Sequence, residues 1–279
     1  MRADGKKLKH FDPMYTVAAH VMSRRSDAMN MITLDIPVEP MQQYINDSRK
    51  EGRNISHLAL VLAAYARTVA AHPELNRFVV NKRVYARNEL RVGMVVLKSD
   101  ADNGIMSKMV LTPADTIDEV NQKINEYVAA NRTTEDKNST EGMINFLLKI
   151  PGLLTVGVAI FKWMDKHGLL PKSIIDASPF HASMTITNLA SIKTNHIYHH
   201  CYDFGTTSMI MAMGNLREVP RRSKGEIVFD RCLPIGLVMD ERICSGHEYA
   251  IAFRVFKKYL TEPALLEQPP EEVLTDPAL

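Results

Sequence analysis

Cysteine is scarce in this sequence of 279 residues, which contains three in all. Cys201, Cys232 and Cys244 are too few and too widely spaced for a disulfide framework or for a Cys-x-x-Cys metal site. We therefore expect no bound metal. Chains without such a framework are typical of reducing compartments, so we expect a cytoplasmic protein.

An excess of either charge is also absent, because 34 basic residues are matched by 32 acidic ones. Without a long-range positive field, nucleic acid is not an expected partner. Residues 1–10 include several basic residues, but no apolar stretch follows them, so the pattern is not that of a signal peptide. Internal repeats and low-complexity blocks are missing as well. The composition indicates an ordinary globular chain.

Apolar residues make up 46% of the sequence and recur with the periods of strands and helices. Alternation and short apolar runs predict strands over 29–38, 92–97, 105–111, 182–189, 208–214 and 226–239. Three- and four-residue spacing predicts helices over 54–71, 112–127 and 247–260. The turn-forming residues 99–104 predict that the second and third strands form a hairpin. The combination predicts a mixed α/β fold.

One segment is unusually apolar, but Pro151 and Lys162 are among the residues that interrupt it. A bilayer-spanning helix needs about 20 predominantly apolar residues, so the interruptions argue against a span. We expect a helical insert, over about 141–170, that packs on the core or on a partner subunit. A helix that contacts a membrane surface is the less favoured alternative. The polar residues 131–140 predict a surface loop, and the proline-rich residues 263–279 predict a loosely held tail after a single domain over 1–262.

Three motifs follow one another along the chain. The first is His72-Pro73-Glu74-Leu75-Asn76, which continues through 91–96; the second is Thr185-Ile186-Thr187-Asn188-Leu189; the third is Asp240-Glu241-Arg242-Ile243-Cys244-Ser245-Gly246. They resemble the catalytic domain of the dihydrolipoyl acyltransferases of 2-oxoacid dehydrogenase complexes. The second is similar to that family's Thr-Ile-Ser-Asn-Leu and the third to its Asp-His-Arg-Val-x-Asp-Gly. The resemblance extends over about residues 20 to 262.

This resemblance implies a chloramphenicol-acetyltransferase-like fold, an α/β (α+β) two-layer sandwich in which helices cover a mixed sheet. It also implies a homotrimer with sites at the subunit boundaries. Coenzyme A or an acyl-CoA thioester is the implied small-molecule substrate. No lipoyl group is expected on this chain, because the resemblance begins only about 20 residues from its start.

In the family, a neutral imidazole takes a thiol proton and a hydroxyl stabilises the oxyanion. By position the hydroxyl falls on Thr187, whereas the base falls on Glu241, and glutamate is a much weaker base than imidazole. The family's structural aspartate falls on Ser245. Asn188, Ser245 and Gly246 are the remaining candidates for contacts to the cofactor.

Histidines elsewhere offer a second source of a base, because residues 195–203 contain three of them, including His199 and His200. If this stretch were a strand, alternation would place His199 and Cys201 on one face and His200 on the other. Three interpretations stay open: a relocated base, metal ligands without an accompanying metal motif, and structural hydrogen-bonded histidines. The third is the favoured one.

Two functions are therefore compatible with the sequence. One is a CoA-dependent acyltransferase with an atypical active site; the other is a non-catalytic trimeric scaffold or binding protein. Loss of the imidazole and the aspartate favours the scaffold, whereas the hydroxyl of Thr187 and the histidines favour retained chemistry. The pairs Arg24-Arg25 and Arg221-Arg222 are candidate contacts to CoA phosphates, with solvated charges as the ordinary alternative.

Overall fold

The structure is a computed structural model, and it describes residues 2–10, 12–97, 104–133 and 152–279. Within these ranges the strands are β1 (Gly5–Lys7), β2 (Met29–Pro37), β3 (Arg77–Val80), β4 (Arg83–Arg87), β5 (Leu90–Leu97), β6 (Gly104–Leu111), β7 (Met184–Asn188), β8 (Met209–Met213), β9 (Arg217–Ser223) and β10 (Glu226–Asp240). The helices are α1 (Pro13–Val21), α2 (Glu39–Lys50), α3 (His57–Ala71), α4 (Ile117–Thr133), α5 (Leu153–His167), α6 (Lys172–Ala177) and α7 (Gly246–Thr261).

A mixed sheet forms the scaffold, with strand order β2-β10-β8-β7-β5-β6. Strand β7 runs parallel to both β8 and β5, whereas the other neighbours along this path are antiparallel. Strand β9 pairs with the first part of β10, outside this path. A smaller antiparallel sheet has the order β1-β4-β3. The mixed sheet and its helices confirm the predicted α/β class.

Helix α3 is the centre of the helical layer. Leu60, Val61 and Leu62 are successive residues and all are fully buried, which is typical of a helix surrounded by protein. It packs against α4 and α7, and the Ser56 hydroxyl caps its start by accepting from the Ala59 N–H at 3.1 Å. Each fully buried leucine or valine contributes about 1.5–3 kcal/mol through the hydrophobic effect. The predicted helix and one of its two alternative caps are thus confirmed.

The sheet has two chemically different faces. On β7, Met184 and Ile186 are fully buried in the main core, whereas Thr185 and Thr187 alternate with them and are half-buried. The threonine side is called the outer face, because it lies opposite the helical layer. The segments that cover this outer face determine which of its polar side chains are accessible.

Some elements differ from the sequence prediction. Helices α1, α2 and α6, strand β9 and the whole smaller sheet were not predicted. Helix α2 buries Met41 and Ile45 but is otherwise too polar to give a clear period. Helix α4 begins at Ile117, later than predicted, because the Asp115 carboxylate accepts from the Thr112 N–H in a preceding turn. Its last residues, through Thr133, include the start of the predicted surface loop; residues 134–140 lie outside the described part.

The predicted helical insert is described only in part. Residues 141–151 lie outside the described ranges, as do the predicted hairpin turn residues 98–103. Helix α5 confirms helical structure in the second half of the insert. None of the described helices is both long and apolar enough to cross a bilayer.

The C-terminal tail is docked, contrary to the expectation of a loosely held segment. Arg77 donates to both carboxylate oxygens of Asp276 at 2.6 and 2.7 Å, and both side chains are buried. Leu266 and Ala278 are buried as well. Bidentate charge-assisted hydrogen bonds hold geometry strongly, so the tail is part of the folded unit. Proline content alone did not reveal these partners.

Candidate active site

Thr187 lies near the end of β7, where it pairs with Ala212 of β8. Its side chain projects to the outer face and lines a cavity of about 140 Å³, here called the Thr187 cavity. The wall of this cavity includes Met106, Phe180, Thr185, Thr187, His199 and Tyr202. One hydroxyl and one imidazole that the sequence singled out are therefore brought to the same space.

The imidazole arrives on an irregular segment, residues 193–207, here called the histidine loop. The loop lies directly on the outer face. A Cβ atom at Gly236 of β10 would be 2.4 Å from the Ile197 carbonyl oxygen, and one at Gly214 would be 2.1 Å from the His196 nitrogen. Real Cβ atoms do not approach so closely, so the two glycines allow the loop to contact the sheet.

Hydrogen bonds fasten the same loop to the neighbouring strand. The Thr33 hydroxyl of β2 lies 2.9 Å from His196 Nε2 and 2.6 Å from the Tyr198 hydroxyl. Burial lowers the pKa of His196, with Arg217 adding to the effect, so this imidazole is biased towards the neutral form. His196 thus serves the attachment of the loop.

The prediction that adjacent histidines point to opposite faces of a strand is wrong. The His199 and His200 rings stack, with centroids 5.1 Å apart and planes 20° from parallel. Tyr202 contacts both rings edge-on. The segment crosses the sheet face instead of extending the sheet, so the alternation of a strand does not apply. Of the two histidines, His199 lines the Thr187 cavity, whereas His200 is exposed and does not.

The hydrogen bond of His199 defines its tautomer. Its Nδ1 atom lies 3.1 Å from the backbone carbonyl oxygen of His200. A carbonyl oxygen only accepts, so we assign the proton to Nδ1, which donates. In the neutral ring the lone pair is then on Nε2, the atom left to accept a proton. A half-buried imidazole in this tautomer has the chemistry of a general base.

Glu241 lies elsewhere. Thr187 is level with Ala212, which is level with Gly236 of β10, and Glu241 follows five residues beyond Gly236. At about 3.3 Å per residue and 4.8 Å per strand spacing, this places Thr187 and Glu241 about 19 Å apart along the same sheet. The Glu241 carboxylate accepts from the Asn30 side-chain amide at 2.7 Å. Within one chain the two positions do not meet.

Ser245 and Gly246 begin helix α7. The Ser245 hydroxyl accepts from the Glu248 N–H at 3.1 Å, and the Glu248 carboxylate accepts from the Ser245 N–H at 2.6 Å. This is a complete capping box, which satisfies two backbone donors at the helix start. Both residues therefore have a structural function on this chain.

Asn188, by contrast, ends β7 beside Thr187. Its side-chain carbonyl oxygen is buried and has no hydrogen-bond partner among the described residues. A buried acceptor without a partner is uncommon in folded proteins. Asn188 is not among the residues that line the Thr187 cavity.

The matched residues of the third motif form a buried ion cluster. Arg242 donates to both oxygens of Asp240 at 2.8 and 2.7 Å, and Arg25 approaches the same fully buried carboxylate at 3.4 Å. Arg25 also donates to the backbone carbonyls of Tyr202 and Gly205 in the histidine loop. Arg25 is thus structural, which contradicts its candidacy as a phosphate contact, since its donors are already used.

The other arginine pair gives a related result. Arg221 on β9 donates to both carboxylate oxygens of Asp230 on β10, in an exposed ion pair. Arg221 therefore forms a cross-strand ion pair between β9 and β10. Cys244 is fully buried, and burial raises the pKa of its thiol well above the usual value, which makes it unreactive.

Sequence reasoning missed Lys108 and Phe180. Lys108 lies on the outer face of β6, two residues from Met106, and donates to the carbonyls of Ile175 and His181 at 2.6 and 3.0 Å. Burial, with nearby arginines adding to the effect, lowers the pKa of Lys108 to about 8. The sequence signal for Lys108 is a lysine inside a mainly apolar strand. Phe180 has no such signal, because it follows a proline in a segment without periodicity.

The structure gives no support to the interpretation of the histidines as metal ligands. The ranges that the structure describes contain no group of three or more His, Cys, Asp or Glu side chains arranged to hold a metal ion.

Known proteins share parts of this pattern. Residues 180–267, which contain the second and third motifs, match the family model of the 2-oxoacid dehydrogenases acyltransferase (catalytic domain). The dihydrolipoyllysine-residue acetyltransferase component of the acetoin cleaving system of Bacillus subtilis (strain 168) is 23% identical over 247 residues, which are 88% of this chain and 50% of that protein. The chain therefore spans about half the length of this curated relative.

Solved structures extend the likeness to nearly the whole chain. A probable dihydrolipoamide acetyltransferase from Listeria monocytogenes 4b F2365 superposes with a TM-score of 0.58 at 12% identity, covering 92% of this chain and 95% of that one. A truncated catalytic core of the 2-oxoacid dehydrogenase multienzyme complex from Thermoplasma acidophilum gives 0.56 at 13%, covering 92% and 99%. A chloramphenicol acetyltransferase gives 0.56 at 11%, covering 92% and 99%. The chain is thus distantly similar to the 2-oxoacid dehydrogenase acyltransferase catalytic domains, and it has the chloramphenicol-acetyltransferase-like fold.

Proposed function

We propose that this chain catalyses acyl transfer between thioesters in the Thr187 cavity, with His199 in place of the family's histidine. One observation carries the proposal: Thr187 and His199 line one cavity, and the hydrogen bond from His199 Nδ1 leaves Nε2 as the proton acceptor. Glu241 of the same chain does not reach this cavity and accepts from Asn30; Glu241 of a neighbouring subunit is the competing source of a base, and Glu241→Gln tests it. The similarity to the acyltransferase family supports the reaction class.

The proposed chemistry needs no further group on the chain. His199 Nε2 takes the proton of an acceptor thiol, and the sulfur forms a bond to the thioester carbonyl carbon. The Thr187 hydroxyl donates to the oxyanion that develops. When the intermediate collapses, the original carbon–sulfur bond breaks and the departing thiolate takes the proton back from His199.

Coenzyme A and acyl-CoA thioesters are the proposed substrates. Asn188 directly follows Thr187, and its side-chain carbonyl oxygen has no partner among the described residues, so it retains a hydrogen-bond acceptor that a structural contact does not use. Ser245 and Gly246 are weaker candidates for cofactor contacts, because both belong to the start of α7. Asn188 is therefore the cofactor contact that we favour.

We also propose a homotrimer. Met31, Val95 and Val110 lie on the outer face and are each nearly half exposed, although apolar. A second subunit over this face would bury them and close the Thr187 cavity, which lies beside Val95. Light scattering is expected to give three times the chain mass of 31.4 kDa. A stable monomer at micromolar concentration would contradict this assembly.

The enzymatic proposal is tested by acetyl transfer from acetyl-CoA to dihydrolipoamide. Thr187→Val removes the oxyanion donor and is expected to lower kcat about 10²- to 10³-fold, the usual effect of losing one such group. Thr185→Val is the matched control, since it changes a neighbouring threonine of the same strand and cavity wall. Equal losses in the two variants, or an inactive native protein, would refute the proposal.

A non-catalytic trimeric binding protein is the second candidate. Two positions that belong to the family's usual site favour this candidate, because both make structural contacts here. Glu241 accepts from Asn30, and Ser245 is part of a capping box. This candidate predicts saturable binding of coenzyme A without turnover. Calorimetric titration beside the acetyl-transfer assay separates the two functions.

A further inference from the structure

A second cavity, of about 340 Å³, lies between α5 and the turn that joins β3 to β4. It shares no lining residue with the Thr187 cavity. Arg24, Lys82, Lys162 and Lys166 line it, and these four residues define what we call the basic cleft. Its volume is within the usual range for small-molecule sites, about 300–1,000 Å³.

Positive charge is concentrated in this cleft. Six arginine or lysine side chains and two aspartates line it, and two of the arginines, Arg25 and Arg242, share the buried Asp240 carboxylate, so the local excess is three positive charges. The whole chain has a net charge of +2, so the rest of it carries a net charge of −1. The small net charge of the whole chain is therefore compatible with a strong positive field at this cleft.

The two aspartates in the wall do not neutralise the four defining cations. Asp165 lies 2.8 Å from Arg2 and 3.3 Å from His181, and Asp203 accepts from the Arg25 backbone N–H at 2.7 Å. Arg24, Lys82, Lys162 and Lys166 have no carboxylate within ion-pair distance among the residues that the structure describes. Their charge is available to an anion.

Repulsion between two lysines of the cleft reduces the stability of the fold without a bound anion. Lys162 and Lys166 are four residues apart on α5, so two like charges lie on one helical face. Lys82 lies in the β3–β4 turn with a positive φ of 61°. A bound anion would offset the repulsion of the lysines.

We propose that the basic cleft binds a ligand that carries more than one phosphate group. Lysine and arginine are the usual phosphate-binding side chains, and several unpaired cations around one cavity favour multiple phosphates. The source is either a free phosphorylated small molecule or a phospholipid headgroup. The second source is included because Val156, Ile160 and Trp163 form an exposed apolar stripe on α5, beside the lysines. The proposal does not depend on acyl transfer.

Inorganic pyrophosphate is the first probe, titrated calorimetrically into the full chain at low salt. Saturable binding is expected, and the double variant Lys162→Gln/Lys166→Gln and the single variant Lys82→Gln are each expected to weaken it, by about two- to fivefold per charge removed. Lys224→Gln is the matched control: Lys224 is an exposed lysine with a φ of 49° in the β9–β10 turn, away from the cleft. It is expected to bind as the native chain does.

Vesicles that contain cardiolipin, whose headgroup carries two phosphate groups, form the second arm, with phosphatidylcholine vesicles as the neutral control. Trp163 is the single tryptophan of the sequence, so its fluorescence reports directly on α5. Binding of pyrophosphate supports a free ligand; cosedimentation with the anionic vesicles alone, with a blue shift of Trp163 and the same lysine dependence, supports a headgroup. Failure of both probes to bind, or equal weakening by Lys224→Gln and Lys82→Gln, would overturn the proposal.

Discussion

The second and third motifs lie at opposite ends of the main sheet, and they differ in how their polar groups are used. At the Thr187 end, the Asn188 carbonyl oxygen is buried without a partner, and His199 Nε2 is left as an acceptor beside a cavity. At the Glu241 end, Glu241 accepts a hydrogen bond from Asn30, and Ser245 forms hydrogen bonds with Glu248.

This difference distinguishes polar groups that stabilise the fold from polar groups that are able to react. Polar groups that satisfy one another hold a fold, whereas polar groups left without protein partners can interact with a substrate. In the third motif, Asp240 and Arg242 form a buried ion cluster. In the second motif, Thr187 lines a cavity.

The largest expected effect on the comparison comes from breaking the ion cluster. Asp240→Asn leaves the buried guanidinium groups of Arg25 and Arg242 without their carboxylate, which typically costs about 3–5 kcal/mol of the free energy of unfolding. Chemical denaturation measures this loss. Asp230→Asn breaks the exposed pair with Arg221 instead and is expected to leave stability nearly unchanged. Similar losses in both variants would show that Asp240 has no special structural function.

A smaller effect is expected where the histidine loop contacts the sheet. Gly236→Ala places a Cβ against the backbone of Ile197, so the loop must shift, and overpacking of this kind costs about 1–3 kcal/mol. Acetyl transfer is expected to fall with it, because His199 moves relative to Thr187. Gly157→Ala, on α5 with no atom near the new Cβ, is the control for stability and activity. Full activity in Gly236→Ala would mean that the position of the loop is unimportant.

The smallest effect concerns the start of α7. Ser245→Ala removes the cap and is expected to lower the free energy of unfolding by about 1 kcal/mol, with acetyl transfer unchanged. Ser245→Asp supplies an equivalent cap and is expected to keep native stability. A loss of activity in the alanine variant at unchanged stability would instead place Ser245 in the reaction.

The sequence predicted the main sheet well because its strands either alternate or form short apolar runs. Strands β2 and β7 show a period of two, and β8 and the second half of β10 are apolar runs. The missed strand β9 is rich in charged residues and has only β10 as its ladder partner, so neither apolar alternation nor burial marks it. Strand β3 was missed although it is buried, because its four residues are too few to show a period.

The candidate site was predictable only in part, for a related reason. Thr187 was identified from its motif, and the histidines were singled out by their unusual density. The choice of His199 over His200 depends on the loop crossing Gly214 and Gly236, which are contacts between residues distant in the chain. Local patterns carry no information about such contacts. The docked tail, held by Arg77 and Asp276, escaped prediction in the same way.

The central claim, that the base has moved to His199, is tested most directly by comparing His199→Ala with Glu241→Gln in acetyl transfer from acetyl-CoA to dihydrolipoamide. Loss of a positioned general base typically lowers the rate about 10²- to 10⁴-fold. We expect that loss in kcat for His199→Ala, whereas Glu241→Gln, which retains an amide or carbonyl beside Asn30, is expected to react at nearly the native rate. The opposite result, with His199→Ala active and Glu241→Gln inactive, would contradict the account.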